Sequence, residues 1–281
     1  MGNLRDKVLK NIPKFITYSA LILMAFFAFY PIFLLFMNSL KDTSLIGSNP
    51  FSIPSDFTFE NYPKAWKAGK YSVTLKNSII LTFGTIFVSL IVSGLAAFAL
   101  ARLKIKGASI ITFYLLIATA IPAHLYIVPL FFMWKHLGLI ESHFGLILIY
   151  VASTSPFAIF LLRSYLIALP EDFVEAARID GANNFEVLRH IILPLSWPGF
   201  FTAGLVIGLG VWNEFLFANT FLHHPSLKPI STSLYAFAQR YGRDWGLTNA
   251  ASVMMILPVM ILFIIFQKKF IEGLTQGGLK A

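Results

Sequence analysis

The chain has 281 residues, of which 57% are hydrophobic and 12% are charged, and its mean hydropathy is +0.74. Soluble domains carry about 25% charged residues, so this composition excludes a soluble globular enzyme and a disordered chain. The formal charge of +9 allows either a nucleic-acid partner or the cytoplasmic bias of basic residues in a membrane protein, and the lack of cysteine excludes disulfides and thiolate metal sites.

Six apolar runs, uncharged except for one acid in the fifth, are long enough to cross a bilayer, which takes about 20 residues. The first run is too long for a cleaved signal peptide, and no small-residue cleavage pattern follows it. The runs do not alternate every second residue, as barrel strands do. The sequence therefore predicts an all-α polytopic membrane protein with six transmembrane helices in one domain, 15–267. The predicted spans are 15–40, 77–101, 107–134, 144–162, 196–222 and 249–267.

The basic residues predict the orientation of these spans. If the N-terminus is inside, the inner segments hold 13 Lys and Arg residues and the outer segments hold 9. The short loop 102–107 holds three of the 13, and short loops are the informative ones. The N-terminal segment 1–14 and the tail 268–281 are therefore predicted to be cytoplasmic. Because the basic residues are spread over all the connections, a nucleic-acid partner is disfavoured.

The predicted cytoplasmic loop 163–195 begins with one short amphipathic helix. Pro170 is a favourable first helical residue, and Glu171 and Asp172 suit the positive end of the helix dipole. Gly181 should end this helix, because glycine accepts the left-handed cap conformation. Spacings of three and four residues predict that one face of this helix contains Phe173, Ala176, Ala177 and Asp180.

A second short helix is predicted directly after this glycine. Asn183 and Glu186 have the spacing of a capping box, and Pro194 is expected to end the helix. The residues alone leave two interpretations open, since such a helix pair could lie on the membrane surface or bind another protein. The expected apolar side consists of Phe185, Leu188, Ile191 and Ile192.

The same loop resembles the signature of ATP-binding cassette importer permeases. Its pattern is Glu-Ala-Ala, three residues, Gly, nine residues, Ile, one residue and Leu-Pro, with Asp-Gly-Ala at the turn. The resemblance implies the type I importer permease fold, in which this loop forms two coupling helices that bind the ATP-hydrolysing subunit. The implied coupling residues are Glu175, Ala176, Ala177, Asp180, Gly181, Ala182, Phe185, Ile191, Leu193 and Pro194.

Further segments are similar to carbohydrate importer permeases of the maltose type. They include Trp-Asn-Glu-Phe-Leu-Phe at 212–217 and the tail at 273–280. In that branch the tail reaches between the two ATPase subunits, which implies contacts through Thr275, Gln276, Gly277 and Gly278. Residues 276–279 depart from the usual Ala-Gly-Ala-Val of the family, so the tail contacts rest on a weaker match than the coupling loop.

The chain lacks the Gly-x4-Gly-Lys-Ser/Thr loop that holds nucleotide phosphates, so ATP hydrolysis is expected in a separate subunit and the chain is not expected to be an enzyme. No cofactor is expected. The resemblance implies as partners two ATP-binding cassette subunits, a second related permease and an extracytoplasmic sugar-binding protein. The expected function is uptake of a sugar or oligosaccharide across the cytoplasmic membrane by alternating access.

Two alternative functions remain at the level of the sequence. One is uptake of glycerol phosphate or another polyol, since such importers share these motifs. The other is an ion-driven secondary transporter, which would usually show ionisable residues deep in several spans and an internal repeat.

Five polar residues in the predicted spans are candidates for the substrate path: His124, Ser153, Thr154, Asn213 and Glu214. Glu214 is the only acid in a span, and it either faces the substrate or holds a neighbouring helix. His124 either binds sugar hydroxyls or hydrogen-bonds a freed backbone carbonyl. The other three either line the path or form bonds between or within helices.

The outer segment 223–248 contains the adjacent residues His223 and His224. Without further ligands at a suitable spacing, they are interpreted as solvated side chains and not as a metal site. The polar stretch 225–245 is the candidate for contact with the binding protein.

Overall fold

The computed structural model describes the backbone of residues 2–278 except 55, 104 and 243, and the side chains of 14–269 with the same gaps. Within these residues the regular structure is helical. The helices are α1 (Gly2–Ser39), α2 (Thr43–Ser48), α3 (Asn61–Ala68), α4 (Tyr71–Arg102), α5 (Ala108–Ala120), α6 (Ala123–His136), α7 (His143–Ala168), α8 (Asp172–Ile179), α9 (Asn184–Val187), α10 (Leu193–Leu195), α11 (Trp197–Asn213), α12 (Leu216–Phe221), α13 (Ile230–Tyr241) and α14 (Trp245–Gly278), with a π-helical turn at Leu188–Ile192.

Four helices are long and apolar enough to cross a membrane by themselves. They comprise Lys14–Ser39, Tyr71–Arg102, His143–Ala168 and Trp245–Lys269. Two bent pairs pass the same test, α5 with α6 and Asn184–Leu195 with α11. Length and composition therefore allow up to six spans in the described part of the chain.

Several helices extend beyond the charge-free runs that predicted the spans. Helix α4 begins before Lys76, α7 continues past Arg163, and α14 continues past Lys268 and Lys269. Lys76 is exposed and Arg163 is half-buried. Long basic side chains keep their charge at the surface while their stems cover the helix, so a charge near a helix end does not stop the helix.

The predicted third span, 107–134, is two helices that meet at 97°. Pro122 disfavours the helical conformation of the residue before it, and Ile121 accordingly has an extended ψ of 115°. In the predicted fifth span, 196–222, the helix ends at Asn213, because Glu214 leaves helical geometry with ψ 131°. A second short helix, α12, follows it.

The chain divides into two compact units. Unit 1 comprises Met1–Gly69 and Ala236–Leu257, and unit 2 comprises Lys70–Tyr235 and Pro258–Ala281. Unit 2 therefore contains α4 to α12, with the loop 163–195 and every candidate for the substrate path.

Unit 1 is held together by side-chain bonds to the backbone around residues 39–43. The Asn61 amide donates to the carbonyl oxygens of Ser39 and Lys41, each at 2.9 Å. The Thr43 hydroxyl donates to the carboxylate of Asp244, just before α14. These bonds fix the connection after α1 by satisfying backbone carbonyls that no helix serves.

Unit 2 is built on the packing of α4 against α7 and α11. Backbones approach closely here, since a Cβ on Gly94 would lie 2.7 Å from the Phe200 ring and one on Gly199 would lie 2.6 Å from the Tyr165 ring. One buried cluster lies where α7 ends and includes residues of α8 and of the π-helical turn. A second cluster lies where α7 begins and includes residues of α11 and α12.

Candidate coupling and transport site

The first helix of the loop, α8, ends in the glycine cap that the sequence predicts. Gly181 has φ +87°, and no heavy atom lies within 4 Å of the position of a Cβ on it. The Gly181 amide donates to the Arg178 carbonyl at 3.1 Å, and the Ala182 amide donates to the Ala177 carbonyl at 2.9 Å. These two bonds form a Schellman motif, which fixes the turn between the two short helices.

The second helix begins with the predicted capping box. The Asn183 side chain accepts from the amides of Phe185 and Glu186, both at 3.0 Å. The Glu186 carboxylate accepts from the Asn183 amide at 2.8 Å. These three bonds satisfy amides at the helix start that have no partner inside the helix.

The second helix ends one residue after Pro194, close to its predicted end. The chain widens into the π-helical turn at Leu188–Ile192, and the helical run that begins at Asn184 ends at Leu195. A proline has no amide hydrogen to donate, and the regular α-helical pattern is interrupted just before Pro194. The helix axis then turns by 77° before α11.

The buried side of α8 differs from the expected face. Val174 and Ala177 are buried in the cluster at the end of α7. Phe173, Ala176 and Asp180 are exposed, so Ala177 is the one member of the expected face that is buried. Spacing identifies residues that share a face, but it does not say which face the rest of the chain covers.

The second helix shows the same kind of difference. Val187 and Ile192 are buried, Leu188 and Ile191 are half-buried, and Phe185 is exposed. Across both helices three large apolar side chains face outward, with exposed fractions of 51% for Phe173, 86% for Ile179 and 62% for Phe185.

The predicted coupling residues are mostly accessible. Ala177 is buried, and Ala182, Ile191 and Leu193 are half-buried. The exposed ones are Glu175, Ala176, Asp180, Gly181, Phe185 and Pro194.

Arg102, the last residue of α4, lies at the base of this loop. The sequence identified it only as part of a basic run. Its side chain is 5% exposed, and its guanidinium donates to the carbonyl oxygens of Leu166 and Leu169 at the end of α7. Pro170 is the feature of the sequence that could have indicated the contact between Arg102 and the Leu166 carbonyl. A proline four residues after Leu166 cannot supply the amide that would pair with the Leu166 carbonyl in a continued helix.

Glu214 forms a cap and a bond between helices. Its carboxylate accepts from the amides of Phe217 and Ala218, at 2.8 and 3.0 Å, in the first turn of α12. It also accepts from the Tyr150 hydroxyl of α7 at 2.6 Å. These contacts agree with the interpretation that Glu214 holds a neighbouring helix.

The other substrate-path candidates also bond to their own helices. Ser153 and Thr154 both donate to the Tyr150 carbonyl, at 3.0 and 2.8 Å. Asn213 donates to the Leu209 carbonyl at 2.9 Å, and His124 is exposed in the first turn of α6. Ser153 and Asn213 remain exposed, so one face of each is free to meet solvent, lipid or another chain.

A row of buried hydroxyls lies along α4 and was not among the predicted site residues, although its spacing of three and four residues is visible in the sequence. Ser89 of this row lies 3.1 Å from the Thr154 hydroxyl of α7. Within the described residues, the hydroxyls of Thr82 and Thr85 have no hydrogen-bond partner. The row consists of Ser78, Thr82, Thr85, Ser89 and Ser93.

At the opposite end of α7, Glu141 holds the segment after α12. Its carboxylate accepts from the amides of His223 and His224, at 2.7 and 3.1 Å, and lies 3.0 Å from the His223 ring nitrogen. Burial opposes the charge, but the two amides and the His223 ring lower the pKa of Glu141 below its ordinary value. His223 and His224 therefore hydrogen-bond to the Glu141 carboxylate, and the described residues contain no cluster suited to a metal ion.

Two more side chains hold the same segment. The Asn77 amide donates to the carbonyls of Ser226 and Lys228, at 2.8 and 3.0 Å. The His143 ring lies 2.8 Å from the Leu227 carbonyl. The predicted tail contacts, Thr275, Gln276, Gly277 and Gly278, lie outside the residues whose side chains are described.

Comparison with known proteins identifies the family. The model of a family described as the binding-protein-dependent transport system inner membrane component matches residues 89–272, which is more than half of the chain and includes the whole loop 163–195. The chain belongs to this family. It is therefore an inner membrane component of a binding-protein-dependent transport system, as its resemblance to importer permeases indicated.

Two relatives of this transport component match over nearly their whole length. The diacetylchitobiose uptake system permease protein NgcG of Streptomyces coelicolor is 34% identical over 265 residues, which cover 93% of this chain and 87% of that protein. The trehalose/maltose transport system permease protein MalG of Thermococcus litoralis is 34% identical over 281 residues, which cover 99% of both chains.

The fold is also similar to a solved importer. A chain from the crystal structure of a bacterial transporter that imports the acidic polysaccharide alginate superposes with a TM-score of 0.81 and 26% identity, covering 92% of this chain and 97% of that one. The predicted fold class, an all-α polytopic importer permease, is confirmed.

Proposed function

We propose that this transport component is the permease subunit of an ATP-binding cassette importer that takes up a sugar or oligosaccharide. The observation that carries the proposal is the full-length similarity to permeases named for diacetylchitobiose and for trehalose and maltose. An ion-driven mechanism has less support, because Glu214 is engaged by an amide cap and by Tyr150. A polyol substrate remains the alternative within the same mechanism.

The loop 163–195 is proposed to couple ATP hydrolysis to transport. Its two short helices present Phe173, Ile179 and Phe185 to the outside while Val174 and Ala177 anchor them in the cluster at the end of α7. Exposed apolar side chains of this kind mark protein interaction sites. A partner that binds these helices can therefore move them as a body and, through their contacts, displace the ends of α4 and α7, which changes access to the substrate path.

The substrate path is proposed to run along the exposed polar side chains of unit 2. Ser153 and Asn213 have accessible faces although they bond to their own helices, and His124 is fully accessible. Thr154 and Glu214 lie behind them and position α4, α7 and α12. A second related permease would supply the facing wall.

The remaining assignments follow from this mechanism. ATP hydrolysis would take place in two partner subunits, and the tail 268–281 would contact them. Both termini would face the cytoplasm, in keeping with the distribution of basic residues. The stretch 225–245 would meet the extracytoplasmic binding protein.

Co-purification tests the coupling proposal. The tagged permease should co-purify with an ATPase subunit and a second permease, and a Phe173→Asp/Phe185→Asp variant should lose the ATPase subunit while keeping the second permease. The Ile105→Asp change in the loop 102–107 is a control for inserting an acid at another exposed apolar site that is predicted to be cytoplasmic. Transport by the purified permease alone, driven by an ion gradient, would refute the proposal.

The substrate class is tested on the cognate binding protein. Calorimetric titration with disaccharides, longer oligosaccharides and glycerol phosphate should show binding of a sugar, and the same sugar should stimulate ATP hydrolysis by the reconstituted importer. Binding of glycerol phosphate alone would select the polyol alternative.

A further inference from the structure

The end of α7 has a gap in its backbone hydrogen bonding that the sequence makes unavoidable. In a continued helix, the Leu166 carbonyl would accept from the amide four residues later, but residue 170 is a proline and has no amide hydrogen. The same proline favours an extended conformation for Leu169, whose ψ is 140°. The Leu166 carbonyl accepts a long bond from the Leu169 amide, at 3.4 Å, in place of the regular helical bond. The Leu166 and Leu169 carbonyls can therefore both accept a donor from another helix.

One side chain from α4 fills this gap. The Arg102 guanidinium donates to the Leu166 carbonyl and, at 2.6 Å, to the Leu169 carbonyl. A cation at a helix C-terminus also lies at the negative end of the helix dipole. Its side chain is 5% exposed, so both bonds are shielded from competing water.

The same guanidinium approaches the start of α8. Its Nη1 lies 3.9 Å from the carboxylate of Glu171, the residue just before α8. One group therefore connects the end of α4, the end of α7 and the start of α8. The apolar cluster beneath it includes Ala97, Leu166 and Val174 from these same three helices.

We propose that Arg102 is a positioning residue for coupling: it fixes the first coupling helix to the ends of α4 and α7, so that a push on α8 is transmitted to both. The proposal rests on the proposed coupling function of the loop. Without the guanidinium, α8 keeps its apolar anchor, but apolar contacts are not directional and its angle to α7 is no longer fixed.

Arg163 offers a matched control. It is an arginine near the same end of α7, and it reaches back to the Leu100 carbonyl of α4. That distance is 3.5 Å, and the side chain is half-buried, so this bond constrains the helices less. Among the described residues, no hydrogen bond or ion pair joins Arg163 to the connection before α8.

A distance measurement tests the fixed angle directly. The chain has no cysteine, so spin labels can be placed at Ile105→Cys and Ile179→Cys, both exposed, in the full-length protein in lipid nanodiscs. We expect one narrow distance distribution in the parent and one at least twice as wide in Arg102→Met. Arg163→Met should match the parent. Arg102→Lys keeps the charge but lacks the second nitrogen that approaches Glu171 while the first donates to the carbonyls, so it should be intermediate.

A coupling measurement uses the reconstituted importer with its ATPase subunits, second permease and binding protein. Arg102→Met should reduce the number of substrate molecules transported per ATP about tenfold, the size expected for losing a hydrogen bond from a charged donor. Arg102→Lys should recover part of this ratio, and Arg163→Met should stay close to the parent. A role in stability alone would lower the melting temperature without widening the label distances or changing the ratio.

A narrow, parent-like distance distribution in Arg102→Met would overturn the proposal, and so would equal widening in Arg163→Met. If Arg102→Met does not fold, the Arg102→Lys variant decides by the same two measurements. If the parent importer itself fails to transport, the proposed function fails, and the label distances still test the role of Arg102 separately.

Discussion

The two ends of α7 are held in different ways. At its N-terminal end, polar side chains from several elements bind the chain between Glu214 and Lys228 through directed bonds to the backbone: Asn77, Glu141, His143 and Glu214. At its C-terminal end, the loop of α8 and α9 rests on apolar packing, and its polar connection to α4 and α7 among the described residues is Arg102.

This difference separates a fixed end from a movable one. Hydrogen bonds are directional, and several of them at different angles allow one arrangement only. Apolar contacts are not directional, so the angle of the loop at the C-terminal end depends on the contacts of Arg102. The proposed coupling function therefore lies at the end where one side chain sets the angle, and the loop and the helix ends joined to it can move together when a partner binds.

The largest expected effect is at the fixed end. Glu214→Ala removes the acceptor for two amides and for the Tyr150 hydroxyl, so it should lower the free energy of unfolding by about 2–3 kcal/mol. Thermal or denaturant unfolding in detergent measures this loss. Asn213→Ala is the neighbouring control, because its side chain is exposed and bonds its own helix. An equal loss of unfolding free energy in both variants would contradict the role of Glu214 as the cap of α12.

Two glycines with the same left-handed backbone conformation, one near each end of α7, allow a direct comparison of the two ends. Gly181 at the loop has φ +87°, Gly138 near the opposite end has φ +69°, and both have open space where a Cβ would lie. A valine at either site should cost about 1–2 kcal/mol, because a branched residue is strained at positive φ. Both variants should still fold, but only Gly181→Val should uncouple transport from ATP hydrolysis.

The measurement for this pair is substrate uptake and sugar-stimulated ATP hydrolysis in the reconstituted importer, with melting temperature as the control for stability. Full uptake and full stimulation in Gly181→Val would show that the turn angle does not matter for coupling. Uncoupling in Gly138→Val would show that the effect is not specific to the loop.

The smallest expected effect is a pH dependence at Glu141. Its pKa is lowered in the folded protein, so its contribution to stability is present above about pH 4.3, the ordinary pKa of Glu, and is lost as the pH falls through the folded value. Stability of the parent relative to Glu141→Gln should therefore shrink in acid. The effect is small because the side chain is 35% exposed and water screens it.

Glu171→Gln at the other end of α7 is the control for this prediction. Its carboxylate is 81% exposed and lies 3.9 Å from Arg102, so its removal should leave unfolding nearly unchanged. Melting curves between pH 3 and pH 7 (about the range in which carboxylates titrate) compare the two variants. A parent advantage over Glu141→Gln that persists in acid would contradict the assigned role.

Local signals in the sequence were sufficient to predict the turns of the loop 163–195. Gly181 and the pair of Asn183 and Glu186 act through their own backbone neighbourhood, and the structure has the predicted cap and capping box. Features of this kind depend on residues within about one helical turn. The helix also breaks at Pro122, but Pro129, Pro156 and Pro258 lie inside helices, so a proline by itself does not predict a break.

The sequence was less informative where the outcome depends on distant residues. Spacing grouped Phe173 with Ala177, but the ends of α4 and α7 cover Val174 and Ala177. The role of Arg102 depends on a carbonyl 64 residues away, and that of Glu214 on a hydroxyl at the same separation. No local pattern encodes which carbonyl or hydroxyl will lie within reach.

By itself, the sequence determined that this protein crosses a membrane, that its chain is helical, and that it carries the coupling-loop signature of an importer permease. Apolar runs, caps and signature spacing determine these features because each acts over a few consecutive residues. Only the tertiary structure decided which helices continue past prolines and charges, which face of the loop is buried, and which polar side chains fix each end of α7. These outcomes depend on the packing of α4, α7 and α11, which brings together residues far apart in the chain.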